Sequence, residues 1–226
     1  MSRYDEQLAE LRAFGETLTQ PLEPGSQGSA DWFRQRVGKC TASRFAEATQ
    51  FLKKGGEGAK RYNYRMELVV ERLTGEPSEH YVSKYMEWGS EQEGAARMAY
   101  EARSGCLVVV PGFIDHPTIA MCGGSPDGLI DDDGLLEMKA PTSVTHLETI
   151  LAAECEHLPQ IQGNLWVTGR KWADFVSYDP RMPKHLQLHV QRIARDEEYI
   201  AKLAADVRDF LGTVQEVLDQ LKEKQA

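Results

Sequence analysis

Apolar residues recur every three or four positions along several stretches of this 226-residue chain, and each such stretch predicts a helix. Over 4–19, Tyr4, Leu8, Leu11, Phe14 and Leu18 share one face. A Pro-, Gly- and Ser-rich stretch over 20–29 reads as a linker. A short helix is expected from Thr41-Ala42-Ser43 to near Leu52. A second is expected over 60–73, ended by Gly75 and Pro77, and a third over about 90–103, stopped by Gly105. Helical patterns return over 144–156 and 159–167. Asp196 then reads as the cap of a long C-terminal helix carrying Leu203, Val207, Leu211, Val214, Leu218 and Leu221 on one stripe. Strand patterns lie at 106–110, 119–122, 172–178 and 186–193. Two further strands, 127–130 and 135–139, flank the turn Asp131-Asp132-Asp133-Gly134 as a β-hairpin. Helices flanking and interrupting a mixed central sheet make an α/β core, with no internal repeats.

The hairpin carries the candidate chemistry. Side chains alternate along a strand, so Glu137 and Lys139 share a face and Met138 takes the other. With Asp127 at the mouth of the hairpin, two carboxylates and an amine gather together. Two carboxylates suit Mg²⁺, which prefers oxygen ligands and keeps waters for a substrate phosphate. The lysine would position or deprotonate the attacking water, or neutralise charge as a phosphodiester is attacked. The alternative is an Asp-Pro-Gly turn beside an exposed Glu-x-Lys strand, solvated and without function. A calcium loop is excluded: counted from Leu129, its twelfth position is Ala140, not a glutamate. His185 and His189 make an H-x₃-H pair with no evident third zinc ligand.

Composition adds limits. A chain of this size fits one domain with a sizeable core, and 41% hydrophobic with 27% charged residues is ordinary for a globular protein. The N-terminus has no signal-peptide pattern, and the most apolar stretch, 107–114, is too short to span a bilayer. Cys40, Cys106, Cys122 and Cys155 form no C-x-x-C pair, so a reducing cytoplasm is expected and neither a disulfide framework nor a thiolate cluster is suggested. The net charge of −9 argues against a polyanionic partner only superficially. Residues 31–72 carry ten Lys/Arg against five Asp/Glu, a local +5 that leaves −14 for the rest. A basic region on an acidic body suits local phosphate binding; a solvated helical face gives the same pattern.

Ordered motifs extend beyond the hairpin: Arg36-x-Gly38-x-x-Thr41-Ala42-Ser43, Trp88-Gly89 with Glu93, Ser125-Pro126-Asp127-Gly128, and Glu137-x-Lys139-x-Pro141. Gln160-Ile161-Gln162 with Trp166-Val167-Thr168, and Tyr178-Asp179-Pro180-Arg181-Met182, follow. Together they resemble the phage lambda exonuclease family, the YqaJ-type viral recombinases among the restriction-endonuclease-like PD-(D/E)xK nucleases. The resemblance covers roughly 32–199. It implies a single nuclease domain over 1–226: an N-terminal helix and linker to residue 30, a core over 31–195, and a C-terminal helix over 196–226.

The resemblance also implies roles. Asp127 and Glu137, with the Met138 carbonyl, would ligate Mg²⁺ (two ions, or Mn²⁺ in its stead), and Lys139 would act on the nucleophilic water. Glu93 would join them from the preceding helix, although Ser90-x-x-Glu93 also reads as a capping box. Gln162 would orient the water. Arg36, Ser43 and Ser125 would bind a 5′-phosphate, helped by unpaired N–H groups if a helix starts at Ser43. The family's further basic residue in that pocket has no arginine counterpart here, so either the phosphate-end preference is weaker or His146 serves instead. Met86 falls at an apolar wedge that parts the terminal base pair. Asp115 is a looser match to a further acidic residue. Lys53 and Lys54, in a Gly-rich basic loop, are candidate DNA contacts.

The expected activity is a 5′→3′ exonuclease on double-stranded DNA ends, releasing 5′-mononucleotides and leaving 3′ single strands for recombination. The resemblance further implies a ring-shaped homotrimer, a single-strand annealing protein as partner, no membrane, and the cytoplasm of a bacterial host of a phage or prophage. The alternatives are a restriction-type endonuclease on the same core and a non-catalytic DNA-binding module.

Overall fold

The computed structural model describes residues 25–78 and 84–224, apart from the side chains of Tyr85 and Met86. The helix expected over 4–19 and the wedge reading of Met86 lie outside what is described.

Chain order begins with α1 (Ala30–Arg36), β1 (Cys40–Thr41), a 3₁₀ turn (Ala42–Arg44), α2 (Phe45–Ala48), α3 (Ala59–Thr74) and α4 (Lys84–Ser104). Strands β2 (Val108–Val109), β3 (Ile114–Asp115), β4 (Cys122–Gly124), β5 (Gly128–Ile130) and β6 (Gly134–Lys139) follow. The chain closes with α5 (Ser143–Leu151), α6 (Leu158–Thr168), β7 (Trp172–Tyr178), β8 (Leu188–Ala194) and α7 (Glu197–Glu223).

The expected α/β class holds, but the strands divide between two mixed sheets rather than one. The smaller is ordered β1-β4-β3 and the larger β2-β5-β6-β7-β8. Ser125, Pro126 and Asp127 carry the chain from one to the other. Proline has no N–H for a ladder bond, so Pro126 suits the break. Strand β6 pairs antiparallel with β5 and parallel with β7, Glu137 opposite Phe175 and Lys139 opposite Ser177. A central strand covered on both faces reads as continuously apolar, and Gly134 to Met138 are all buried.

The alternation along β6 sorts two cores. Leu136 and Met138 pack with Ala96 and Tyr100 of α4, Ile130 and Val176. Leu135 packs on the other side with Ile161 and Leu165 of α6, Ala173 and Phe175. A third core joins β1, the 3₁₀ turn and α3 to α7 through Phe45, Tyr64, Leu68, Val207, Phe210 and Val214. Tyr64 stacks on Phe210 with ring centroids 5.2 Å apart, and its hydroxyl accepts from the Thr41 N–H at 3.0 Å. Asp196 caps α7 as expected, accepting from the Tyr199 N–H at 2.9 Å.

Several boundaries moved. Helix α4 begins at Lys84, so Ser90 lies inside it and the capping-box reading of Glu93 falls. The stretch expected as one helix from Thr41 is a strand residue, one 3₁₀ turn and the four-residue α2. Strand β3 was not anticipated; its pattern is two residues long.

Candidate active site

The hairpin is held open at its turn and closed at its mouth. Asp131 takes a left-handed φ of 46°, and one guanidinium nitrogen of Arg170 donates to the carbonyls of Ile130, Asp131 and Gly134 at 3.1, 2.8 and 2.7 Å. At the mouth, Asp127 Oδ2 accepts the Met138 N–H at 2.6 Å. That bond fixes one carboxylate beside the strand bearing the other.

Glu137 is 2% exposed, on the α6 face of β6. Its Oε1 accepts from the Lys139 ammonium and the Gln160 amide, and its Oε2 accepts from Asn164 Nδ2 at 3.2 Å. Burial pushes Glu137 well up, against the pull of Lys139 and with the push of Asp127. Burial also raises Asp127, opposed by Lys139 and the Met138 N–H. Glu93 is raised to about 6, first by desolvation and then by the Asp127 charge, although its edge stays open to solvent. Lys139 stays firmly protonated: burial disfavours its charge, and Glu137 and Asp127 outweigh that. The expected cluster of Asp127, Glu137 and Lys139 therefore assembles, and Glu93 is electrostatically part of it.

Three carboxyl groups gather around the Lys139 ammonium here, with Arg97 also acting on Glu93. All the donors of the cluster are hard oxygens, with the Met138 carbonyl at the same strand position. That donor set fits Mg²⁺ completed by water and phosphate oxygens. Among the described residues no three His, Cys, Asp or Glu side chains converge closely enough to hold a metal by themselves.

Gln162 is not in this cluster. Its amide donates to the Ala194 carbonyl at 2.8 Å and accepts from the Asp196 N–H at 3.0 Å, tying α6 to the start of α7. The glutamine that reaches Glu137 is Gln160, with Asn164 one turn later. Sequence reasoning missed both. Their signal was the four-residue spacing beside the buried pair Ile161 and Leu165, which points all four side chains at the sheet.

A second cluster adjoins the first. Arg36 donates to Ser125 Oγ at 3.4 Å, Thr41 Oγ1 at 3.5 Å and Ser43 Oγ at 3.4 Å. Its guanidinium lies 4.2 Å from the Trp32 ring centroid, and the Trp32 indole N–H donates to Ser125 Oγ at 2.9 Å. Burial lowers the Arg36 pKa, and among the described residues only hydroxyls, not carboxylates, accept from it. Arg36, Ser43 and Ser125 therefore come together as expected, as a desolvated cation among neutral acceptors. The helix start at Ser43 does not: a 3₁₀ turn and four helical residues supply little dipole.

Other expectations are corrected. His146 is fully buried, with Nε2 donating to the Leu186 carbonyl and Nδ1 accepting from the Ser177 hydroxyl, both at 2.7 Å. A ring satisfied on both nitrogens cannot serve the Arg36 pocket. His185 lies in a 3₁₀ turn and His189 in β8, so they share no strand face. Asp115 binds Lys39 at 2.6 Å. Lys53 and Lys54 are exposed on the loop closed by the Leu52 N–H to Gly56 carbonyl bond. The local +5 is not a free basic face. Arg34, Lys39, Arg44, Arg61 and Arg65 pair with carboxylates, and Arg72 donates to the Gly38 carbonyl.

The Tyr178-Asp179-Pro180-Arg181 segment braces the end of β6. Buried Asp179 accepts from Ser143 Oγ at 2.6 Å and from Arg181 Nε at 2.7 Å. Arg181 also donates to the Pro141 carbonyl at 3.2 Å and lies over the Trp88 ring.

Comparison with known proteins agrees with this architecture. Residues 31–171 match the YqaJ-like viral recombinase domain. The crystal structure of an alkaline exonuclease, LHK-Exo, from Laribacter hongkongensis superposes with a TM-score of 0.81 at 41% identity, covering 87% of this chain and 98% of that one. The same protein in complex with dAMP aligns equally well. A phage-related exonuclease from Haemophilus somnus 129PT shares the fold, with a TM-score of 0.61 at 16% identity over 83% of this chain and 96% of that one. ExoD of Escherichia coli K12 is 34% identical over 70 residues, 31% of this chain and 79% of ExoD.

Proposed function

The chain belongs to the YqaJ-like viral recombinase domain family, and from that premise we propose that it is a Mg²⁺-dependent exonuclease degrading one strand of duplex DNA 5′→3′. The nuclease reading draws on LHK-Exo, an alkaline exonuclease at 41% identity over nearly its whole length. Its complex with dAMP is with a mononucleotide of the kind this reaction would release.

One observation carries the direction and the product. Ser125 belongs to the Arg36 cluster and Asp127 to the carboxylate cluster, both within the β4–β5 crossing between sheets. Two residues of extended chain span roughly 7 Å at most, about one step of a nucleotide backbone. A 5′-phosphate held by Arg36, Ser43 and Ser125 would then present the next phosphodiester to Asp127 and Glu137.

The residues divide the work as follows. Arg36 donates to the terminal phosphate, and the flanking hydroxyls orient it. Asp127, Glu137 and the Met138 carbonyl would hold Mg²⁺, which when bound polarises the scissile phosphate and lowers the pKa of water. Glu93 contributes a further carboxylate to that side. The Lys139 ammonium offsets negative charge growing on the phosphoryl oxygens. Water adds to phosphorus, the P–O3′ bond breaks, and the 3′ oxygen leaves with a proton. The released nucleotide keeps its 5′-phosphate, and the remaining strand gains a new one. Each cycle therefore regenerates the group that the Arg36 cluster binds.

The product is a duplex with a 3′ single strand, substrate for a single-strand annealing protein acting in the cytoplasm of a phage-bearing bacterium. No helix among the described residues is long and apolar enough to cross a membrane.

The test is a time course on 5′-phosphorylated linear duplex with Mg²⁺, beside 5′-hydroxyl duplex and covalently closed plasmid. Mononucleotides from the 5′ strand of the linear DNA, with the phosphorylated end preferred, are expected. Arg36→Ala should erase that preference, and alanine at Asp127, Glu137 or Lys139 should abolish release. Cutting of closed plasmid would overturn the exonuclease in favour of an endonuclease.

A further inference from the structure

Helix α6 sends two amides to one carboxylate. Gln160 and Asn164 are four residues apart on the same face, and each takes a different oxygen of Glu137. A carboxylate offers about four acceptor positions over its two oxygens. Lys139 and Gln160 fill both on Oε1, and Asn164 takes one on Oε2. One acceptor position of Glu137 is left, and it lies on Oε2.

Asn164 is a poor residue for packing alone. It is 2% exposed, and its amide oxygen has no hydrogen-bond partner among the described residues. A buried acceptor without a donor destabilises the fold, so an apolar side chain of similar size would suit the core better. Its site also demands a glycine opposite. A Cβ at Gly124 would stand 2.3 Å from the Asn164 amide oxygen. Gly124 is the last residue of β4, immediately before Ser125-Pro126-Asp127. The chain thus gives up a side chain beside the active site and leaves an acceptor unpaired, and both concessions let the Asn164 amide reach Glu137.

We infer that Asn164 is a positioning residue that fixes the Glu137 carboxylate so that Oε2 alone faces the divalent cation, and that Gly124 is there to admit it. The inference rests on the metal-dependent reading of the site. Outer partners of metal-ligating carboxylates set ligand orientation, and losing one typically weakens metal binding or activity by about 10–100-fold.

The experiment is a double-mutant cycle read by direct Mg²⁺ binding to the DNA-free protein, using calorimetry, with kcat at saturating Mg²⁺ and metal-free melting recorded alongside. Asn164→Ala should weaken Mg²⁺ binding by about tenfold or more, with kcat at saturating Mg²⁺ falling as well. Gly124→Ala should weaken Mg²⁺ binding similarly by pushing the amide away. In the double variant the added methyl meets no amide, so its loss should equal that of Asn164→Ala alone. Independent, multiplying losses would overturn the Gly124–Asn164 coupling. Wild-type Mg²⁺ affinity in Asn164→Ala, whatever its melting temperature, would reduce Asn164 to a packing residue. Should Asn164→Ala not fold, Asn164→Leu, which fills the space and removes the orphan acceptor, takes its place with the same expected loss. A wild-type protein that binds no divalent cation would instead overturn the metal-dependent reading, and this inference with it.

Discussion

At the scale of single residues, period-two alternation makes Glu137 and Lys139 legible, because the phase of a strand is set by any one buried residue in it, and the hairpin mouth adds Asp127. Gln160 and Gln162 were not separable in this way. On a helix, two residues differ by roughly 200° in direction, and the phase of α6 depends on which of its many apolar residues face the sheet. Ile161 and Leu165 do, which brings Gln160 and Asn164 to Glu137 and turns Gln162 towards Ala194 and Asp196. The same scale holds a pH prediction. Burial pushes Asp179 up, but hydrogen bonds from Arg181 and Ser143 outweigh it and hold the carboxyl down at about 2. A carboxylate with a depressed folded pKa binds fewer protons folded than unfolded. Its contribution is therefore complete above the ordinary aspartate range and is lost as pH falls towards the folded value. Allowing for the exposure of Arg181, that contribution is about 1–2 kcal/mol. Urea unfolding of the wild type should weaken from about pH 5 down to about pH 2, and Asp179→Asn should be less stable at neutral pH with a shallower acid slope. Parallel pH profiles for the two proteins would remove Asp179 from the acid limb.

At the scale of elements, length decided legibility. The long stripe of α7 was readable because it repeats over many turns, whereas the two-residue strands β1 and β3 carry no period at all. Helix α4 was misread at its start, since Ser90-x-x-Glu93 has the form of a cap although the helix already runs from Lys84. Within α7 the stripe was almost right. Phe210 is fully buried where Leu211 was expected, Leu211 only flanks the core, and Leu221 is exposed. Phe210 matters beyond its own area because it stacks on Tyr64, whose hydroxyl accepts the Thr41 N–H in the strand beside the Arg36 cluster. Phe210→Ala should cost about 3–5 kcal/mol, the transfer of a buried ring plus the cavity left behind. Chemical denaturation would register that as a lower midpoint at unchanged slope. A loss under about 1 kcal/mol would mean that α7 is a loose appendage and not part of the core.

At the scale of the whole molecule, charge constrains how DNA is held. The chain is −9 overall, and most cations of its basic segment are committed to internal partners. Arg36, Lys53, Lys54, Lys60 and Arg72 are the cations of that segment with no carboxylate partner among the described residues, and Arg72 is held by the Gly38 carbonyl, so the segment offers few free cations to phosphates. Affinity from phosphate contacts scales with the cations that neutralise them and falls steeply with salt. A subunit so acidic, acting alone, would leave its substrate after few cleavages at physiological ionic strength. We propose that retention comes from topology instead, which a closed ring of identical subunits around the duplex would supply without further positive charge. On the homotrimer that the resemblance implies, light scattering should give three times the 25.4 kDa chain mass. With an excess of unlabelled DNA ends added after the start, digestion of the first duplex should continue at little-changed rate as salt is raised, although initial loading slows. A stable monomer, or release to the competitor at moderate salt, would rule out the ring while leaving the chemistry of Asp127, Glu137 and Lys139 intact.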